Sequence, residues 1–274
     1  MSIPTLPGIT EKSIKSARIT TRLMLDDLQI DSRWIDYLGL VADPRAPVYI
    51  GDSDNFVVQL RVTGSDYSQL FLVRTDGVGR LSNVAQSEFN FADVSPDGQR
   101  IIVARTDRTG SQPVTDLVLI NIADALMIPP PRIIDPNAPT AEPTLTPDPL
   151  TPTPTPTPPP TVPQMPITTD GIATNETMPR WSADGSQIYY AAAANDAPDN
   201  HDIYVIPAAG GDAIALISSP ADDLYPVPSP DGQYLAFASN RNGVWEMYVL
   251  ELATNTLFQL TNSIDPDYPS DWVQ

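Results

Sequence analysis

The side chains that could carry chemistry in this sequence are almost all carboxylates. The chain has 34 Asp and Glu residues, one histidine and no cysteine. Without cysteine there is no thiol nucleophile, no disulfide and no cysteine-bound metal centre, and a single histidine cannot form a histidine-rich metal centre. His201 precedes Asp202, but the sequence lacks the Gly-x-Ser-x-Gly elbow of a hydrolase. We therefore interpret His201 as a surface residue before a strand.

One group of carboxylates has a composition that suits a metal ion. Asp196, Asp199 and Asp202 lie close together in the sequence, with Asn195 and Asn200 between them. Asp and Asn supply the oxygen ligands that calcium prefers, so this segment is a candidate calcium site, although its spacing is not that of an EF-hand. The alternative is a polar loop that binds no ion. No other cofactor is predicted.

Three further aspartates recur within one tetrapeptide pattern, Ser-Pro-Asp-Gly or its close variant. Proline presets the first central position of a turn, aspartate accepts hydrogen bonds from nearby backbone, and glycine adopts the left-handed conformation that closes the turn. A structural role in turns explains all three copies at once. The predicted turn residues are Ser95, Pro96, Asp97, Gly98, Asp184, Gly185, Ser229, Pro230, Asp231 and Gly232.

The elements around these turns repeat as well. Each turn precedes an apolar run typical of a buried strand, at residues 100–105, 187–192 and 234–239. Gly185 and Gly232 are 47 residues apart, within the range of one four-stranded propeller blade. A fourth copy, without the turn motif, begins at Asn55. The sequence therefore predicts an all-β fold, a β-propeller of four to five four-stranded blades.

The repeated residues resemble those of TolB-like β-propellers, whose repeats are WD-like and carry the Pro-Asp pair. The resemblance rests on the turn motif, the stretch from Ser239 to Gly243, the strands that follow Asp116, Asp202 and Glu246, and the closing Leu-Thr. It covers residues 50–135 and 164–274. The resemblance implies a propeller with protein or peptide partners, often in the cell envelope.

A Pro/Thr-rich tract interrupts the repeats. Residues 136–163 are predicted to be a disordered, solvated, polyproline-like insertion. We favour a register in which residues 166–169 supply the fourth strand of the second repeat, so that the tract lies inside one blade. The alternative uses residues 131–134 as that strand and makes the tract an interblade linker. The predicted domains are listed in chain order: an N-terminal segment (1–44), the first two blades (45–135), the insertion (136–163), and two more blades with the opening strand of a fifth (164–274).

The last repeat contains only its opening strand, residues 268–273. A propeller commonly closes by pairing strands from both termini, which removes unpaired sheet edges. We predict that residues 17–25 and 33–41 complete the fifth blade. The alternatives are an open partial propeller, a dimer that completes the ring, and a fragment of a longer protein.

The charge of the chain excludes several classes of partner. The formal net charge is -19, and residues 181–274 hold 13 acids and one base, Arg241. Nucleic acids and anionic membrane surfaces attract the opposite charge, so neither is a predicted partner. No stretch approaches the roughly 18 apolar residues that span a bilayer, and the first residues lack the pattern of a secretory signal. Location therefore rests on the resemblance, which favours an extracytoplasmic setting.

Two sets of side chains are expected to support the blades. Trp181, Trp245 and Trp272 are interpreted as packing residues, and only a cluster of aromatic residues at one mouth of the channel would favour ligand binding. Arg108 and Arg241 occupy equivalent places after the second strand. Each is expected to pair with a turn carboxylate and to set the strand register.

The predicted function is a non-catalytic binding or scaffold module for a protein or peptide. One alternative is a propeller enzyme that acts on a polysaccharide or a peptide. The other is the sensor portion of a larger receptor or kinase.

Overall fold

A computed structural model of the chain describes residues 9, 13–16, 40–41, 48–51, 54–62, 68–74, 77–80, 87–109, 113–127, 162–168, 174–194 and 196–273. Strands dominate these ranges, which also contain one short helix, α1 (Ile122–Leu126). The strands are β1 (Ile14–Ser16), β2 (Leu40–Val41), β3 (Val48–Tyr49), β4 (Phe56–Val62), β5 (Ser68–Arg74), β6 (Gly77–Arg80), β7 (Ser87–Val94), β8 (Arg100–Asp107), β9 (Val114–Asn121), β10 (Met165–Pro166), β11 (Thr174–Trp181), β12 (Gln187–Ala194), β13 (Asp202–Pro207), β14 (Ile214–Ile217), β15 (Asp223–Pro228), β16 (Tyr234–Ser239), β17 (Glu246–Glu251), β18 (Thr256–Gln259) and β19 (Pro269–Trp272). The predicted all-β class is confirmed.

The strands form five antiparallel groups, which we call sheets A to E. Sheet A contains β2 to β6, with β2 and β3 both paired to β4. Sheet B contains β7 to β10, sheet C β11 to β14, and sheet D β15 to β18. Sheet E pairs β1 with β19. One parallel bridge, between Asn175 and Thr115, also joins sheet C to sheet B.

Consecutive sheets pack face to face because apolar residues alternate along their strands. On β8, Ile101 and Val103 face a core shared with sheet A, whereas Ile102 and Ala104 face a core shared with sheet C. The next two cores lie between sheets C and D and between sheets D and E. Successive side chains of a strand point to opposite faces, so sheets B, C and D each bury their two faces against two neighbours.

Sheet A is buried on both faces. Val57 and Leu70 pack against sheet B, while Val58, Leu60 and Phe71 belong to the opposite face and are 1%, 0% and 0% exposed. The face that points away from sheet B is therefore also shielded from solvent. If the row of sheets ended at sheet A, this face would be exposed to solvent.

The three predicted turns have one geometry. Gly98, Gly185 and Gly232 have φ values of 66°, 71° and 69°, a conformation that residues with a Cβ adopt only with strain. In each turn the serine hydroxyl donates to the aspartate two residues later, at 2.5, 2.6 and 2.6 Å. The same carboxylate oxygen accepts a backbone N–H at 3.0 Å.

These bonds predict how stability depends on pH. They lower the pKa of Asp97 and Asp231, and that of Asp184 to about 2, with the serine hydroxyl as the largest cause. A carboxylate with a depressed pKa stabilises the fold above its unfolded pKa, about 3.9, and loses this contribution as pH falls through the folded pKa. Changing all three aspartates to Asn should therefore flatten the decline in melting temperature below about pH 4. Thermal melts from neutral pH to pH 2 measure this, and identical slopes for both proteins would contradict it.

The chain leaves sheet B after β9 and returns to the same strand. Strand β10 pairs with β9, with Met165 opposite Leu119, so it occupies the position of a fourth strand. Val162 packs with Ile122 and Ala125 of α1 in one core. The two ends of the intervening segment therefore lie together. Residues 128–161, which include the alternative strand at 131–134 and most of the Pro/Thr tract, lie outside the described residues.

The first and last strands pair with each other. Ile14 lies opposite Trp272 and Lys15 opposite Asp271, and the Trp272 indole donates to the carbonyl of Val227 in sheet D at 3.0 Å. The predicted partner at residues 17–25 lies outside the described residues. The prediction for residues 33–41 is wrong at its C-terminal end, because Leu40–Val41 form β2 and pair with β4 of sheet A.

Candidate functional site

One strand from each of four sheets lies beside the next: β7 of sheet B, β11 of sheet C, β15 of sheet D and β19 of sheet E. We call these four the first strands. Strand β11 contacts β7 on one side and β15 on the other, and β15 contacts β19. We call the end at which these strands begin the loop end, and the opposite end, which carries the three turns, the turn end. Side chains on these strands are the ones placed to line a shared axis.

The first strands carry a strained position that recurs in three sheets. Phe91, Met178 and Tyr225 have φ values of 56°, 54° and 57°, and each lies four residues before the serine of its turn. The strand pairing shifts register at the same places. Such bulges redirect a side chain, and a left-handed residue other than glycine costs about 1–3 kcal/mol. The fold therefore holds three large side chains at one level of the first strands.

Tyr225 belongs to a group of three aromatic residues, with Trp245 and Tyr268, which we call the aromatic cluster. The ring centroids of Tyr225 and Tyr268 are 5.2 Å apart, and those of Trp245 and Tyr268 are 5.7 Å apart. All three side chains are partly exposed. Burial, followed by the neighbouring Tyr225, raises the pKa of Tyr268. Trp245 and Tyr268 precede their strands, so the cluster lies at the loop end.

This arrangement qualifies the expectation for the tryptophans. Trp181 and Trp272 are 4% and 7% exposed and belong to cores between sheets, which is the packing role predicted for them. Trp245 instead contributes to a partly exposed cluster. Sequence reasoning did not identify Tyr225 or Tyr268, although both precede a proline in the same way as Met178.

Near the turn end, one arginine links the first strands of three sheets. Arg180 of sheet C lies 3.6 Å from the Asp93 carboxylate of sheet B, and it donates to the carbonyl of Ser270 in sheet E at 3.5 Å. Asp93 also accepts the backbone N–H of Trp181 at 2.9 Å. Burial raises the pKa of Asp93, and this effect exceeds the lowering of the pKa by Arg180 and by backbone N–H groups. The contacts show that the first strands converge.

The expected arginine pairs form with different carboxylates. Arg241 donates to Asp223 at 2.8 Å, and Arg108 donates to Glu88 at 2.8 Å. The prediction that turn carboxylates would be the partners is wrong, because both arginines lie at the loop end while the turns lie a full strand away. Asp223 is fully buried and also accepts the hydroxyl of Ser219 at 2.8 Å.

The acids that begin the third strands bind the ends of the fourth strands. Glu246 accepts the hydroxyl of Thr261 at 2.5 Å, and Asp202 accepts the hydroxyl of Ser218 at 2.9 Å. In sheet B the hydroxyl of Thr168 binds Glu176 of sheet C instead. The residue that closes the repeat, Thr261 or Ser218, therefore binds the outer strand to the third strand of its sheet.

The remaining candidate residues lie nearby. Asp196 and Asp199 are exposed, and Asp202 is bound by Ser218 as described. Over the described part of the chain, no three His, Cys, Asp or Glu side chains are grouped to hold a metal ion. The calcium site stays a prediction. His201 lies before β13, and its Nδ1 is 2.7 Å from the Asp222 carboxylate.

Comparison of the fold with solved structures identifies its class. TolB from Acinetobacter baumannii aligns with a TM-score of 0.56 and 15% identity over 85% of this chain and 46% of that protein. A structure assigned to TolB of Agrobacterium tumefaciens gives 0.54 and 14% over 80% of this chain and 66% of that one. A puromycin-hydrolyzing peptidase of Mycobacterium tuberculosis gives 0.54 and 14% over 83% and 31%. No family model matches the sequence, and no curated protein is detectably similar to it.

The fold is therefore that of the TolB-like β-propellers, as the sequence predicted. Identities of this size establish the fold and not the activity. The chain spans less than two thirds of the length of the A. baumannii protein and about one third of the peptidase. Among the helices described, none is long and apolar enough to cross a membrane.

Proposed function

We propose that this chain is a non-catalytic propeller module of the cell envelope that binds a protein or peptide partner at the loop end. The aromatic cluster carries the proposal. Tyrosine and tryptophan are enriched among the residues that dominate interface energies, because they bury a large area at a small cost in side-chain entropy. Tyr225, one of the three, has the left-handed backbone that recurs at Phe91 and Met178 and that redirects its side chain.

The polar groups of the loop end support this assignment. Asp223, Glu246 and Asp202 each accept hydrogen bonds from neighbouring strands or from Arg241. These acids thus join strands within sheets C and D. We therefore assign the partner contact to the aromatic cluster rather than to these three acids.

Binding at the loop end also requires that the first strands be held in fixed positions. We propose that the sheets close into a ring through sheet E, within one chain and without a second copy. The pairing of β1 with β19 and the shielded far face of sheet A support closure.

Selection from a random dodecapeptide library tests the binding proposal. Selected peptides should bind the Tyr268→Ala variant about tenfold or more weakly, as expected for loss of an aromatic hot spot. The matched control is Tyr49→Ala, because Tyr49 is 59% exposed and lies at the turn end of sheet A. Equal binding to wild type and Tyr268→Ala would place the binding surface elsewhere.

The similarity to a peptidase keeps one enzymatic alternative open to test. The purified chain should show no turnover of chromogenic peptides or polygalacturonate. Turnover that is abolished by Arg180→Ala, at the convergence of the first strands, would replace the binding proposal with a catalytic one.

A further inference from the structure

We infer that the aromatic cluster recognises a cationic side chain, Lys or Arg, of a peptide segment in the partner. This inference rests on the proposed function and adds the chemistry of the ligand. A cation binds the face of an aromatic ring within about 6 Å of its centroid. The rings of Tyr225 and Tyr268 are inclined by 64°, and those of Trp245 and Tyr268 by 39°. The rings are inclined rather than stacked in parallel, and each side chain is partly exposed, so the cluster is open to a cation from solvent.

The electrostatics around the cluster favour a positive group. The backbone N–H of Asp267 donates to the carbonyl of Trp245 at 2.8 Å, which holds the acidic segment with Asp265 and Asp267 against the cluster. A partner with Lys or Arg therefore gains both the ring faces and the negative potential.

The chain has no free cation of its own for this position within its C-terminal part. Arg241 is the only base in residues 181–274. It is already bound to Asp223 at 2.8 Å and stacked 4.6 Å from the Tyr248 centroid. Over the described residues no arginine or lysine stacks on the three rings of the cluster.

The same interaction occurs elsewhere among the described residues. The guanidinium of Arg100 lies 4.6 Å from the centroid of Trp181, and that of Arg241 lies 4.6 Å from the centroid of Tyr248. In both cases the aromatic ring has its cation. The aromatic cluster lies beside Asp265 and Asp267, and among the described residues it has no such cation.

A titration of the whole chain with a small cation tests the inference without a peptide. The probe is ethylguanidinium chloride, and the controls are N-ethylurea, its neutral analogue, and sodium chloride. The indole signal of Trp245 is assigned in a ¹⁵N spectrum as the one missing from Trp245→Phe. It should shift in a saturable manner with ethylguanidinium alone, while the signals of the buried Trp181 and Trp272 stay in place. Equal shifts with N-ethylurea, or no shift, would overturn the inference.

Two conservative variants separate a cation–π contact from simple burial. Tyr268→Phe keeps the ring and should retain binding of a selected peptide, whereas Tyr268→Leu should weaken it between about twofold and thirtyfold. Replacing the Lys or Arg of the peptide by norleucine or citrulline should cause a similar loss, which should be absent in Tyr268→Leu. Melting curves check that both variants fold.

The outcomes distinguish this inference from the proposed function. Peptides that need Tyr268 but contain no Lys or Arg would leave the binding module intact and refute the cationic ligand. Cationic peptides that bind Tyr268→Leu as well as wild type would show attraction to the acidic surface alone, and would also refute it. A specific shift with ethylguanidinium in the absence of any selected peptide would support the cation site and contradict the proposed peptide partner.

Discussion

Replacing Asp223 by Ala is expected to lower the free energy of unfolding by about 3–5 kcal/mol, because it breaks a buried ion pair and leaves Arg241 without its partner. Asp223 is fully buried, and the side chain of Arg241 is 23% exposed. The hydroxyl of Ser219 also loses the closer of its two acceptors, the other being the carbonyl of Ala221. Urea denaturation of the variant measures the effect.

The chain contains a matched control for this prediction. Glu88 pairs with Arg108 at the equivalent place in sheet B, but the two side chains are 22% and 35% exposed. An exposed pair contributes about 0–1 kcal/mol, so Glu88→Ala should have a small effect. Similar losses in the two variants would show that burial of Asp223 does not set the energy of its pair.

Replacing Phe237 by Ala is expected to cost about 3–5 kcal/mol, because it opens a cavity in a closely packed core. Phe237 is fully buried between sheets C and D, and its ring stacks on Tyr248 with centroids 5.8 Å apart. The measurement is again the free energy of unfolding in urea.

Phe258→Ala is the comparison for Phe237. Phe258 lies on β18 at the outer edge of sheet D and is partly exposed, so the same truncation there should cost clearly less. Equal losses would mean that the face-to-face packing of sheets C and D is not a main source of stability.

The repeated turns could be predicted because their causes are local. Ser229, Asp231 and Gly232 form their bonds within five residues of the chain, and only glycine adopts the required φ without strain. Three registered copies then imply the strands between them. This local information is sufficient for the all-β class and the propeller expectation.

The candidate site was less accessible to sequence reasoning because its causes are not local. The left-handed bulges at Met178 and Tyr225 break the alternation on which strand prediction relies. Tyr225, Trp245 and Tyr268 meet only after sheets D and E pack together. A large residue before proline, four residues before the turn in Met178 and Tyr225, was the signal that could have marked the bulges.

The arginine pairs and the terminal sheet show a similar limit. The spacing of Arg241 shows that it follows the second strand, but the buried partner Asp223 is 18 residues away and on another strand. The N-terminal partner of β19 is only three residues long, Ile14–Ser16. A strand of three residues is too short to show a periodic pattern. The prediction therefore chose the longer apolar segments nearby, residues 17–25 and 33–41.

The proposed binding surface requires first strands that surround one axis, with β1 and β19 paired in sheet E. Because the sequence contains no cysteine, Lys15→Cys with Asp271→Cys introduces the only two thiols, at positions that lie opposite each other in β1 and β19. A short bis-maleimide should link them within one monomer, as gel migration and mass spectrometry of the linked peptides would show, while Lys15→Cys with Ser263→Cys should remain unlinked. Absence of the link in the folded protein, or links only between two molecules, would contradict the ring and the binding surface at its loop end.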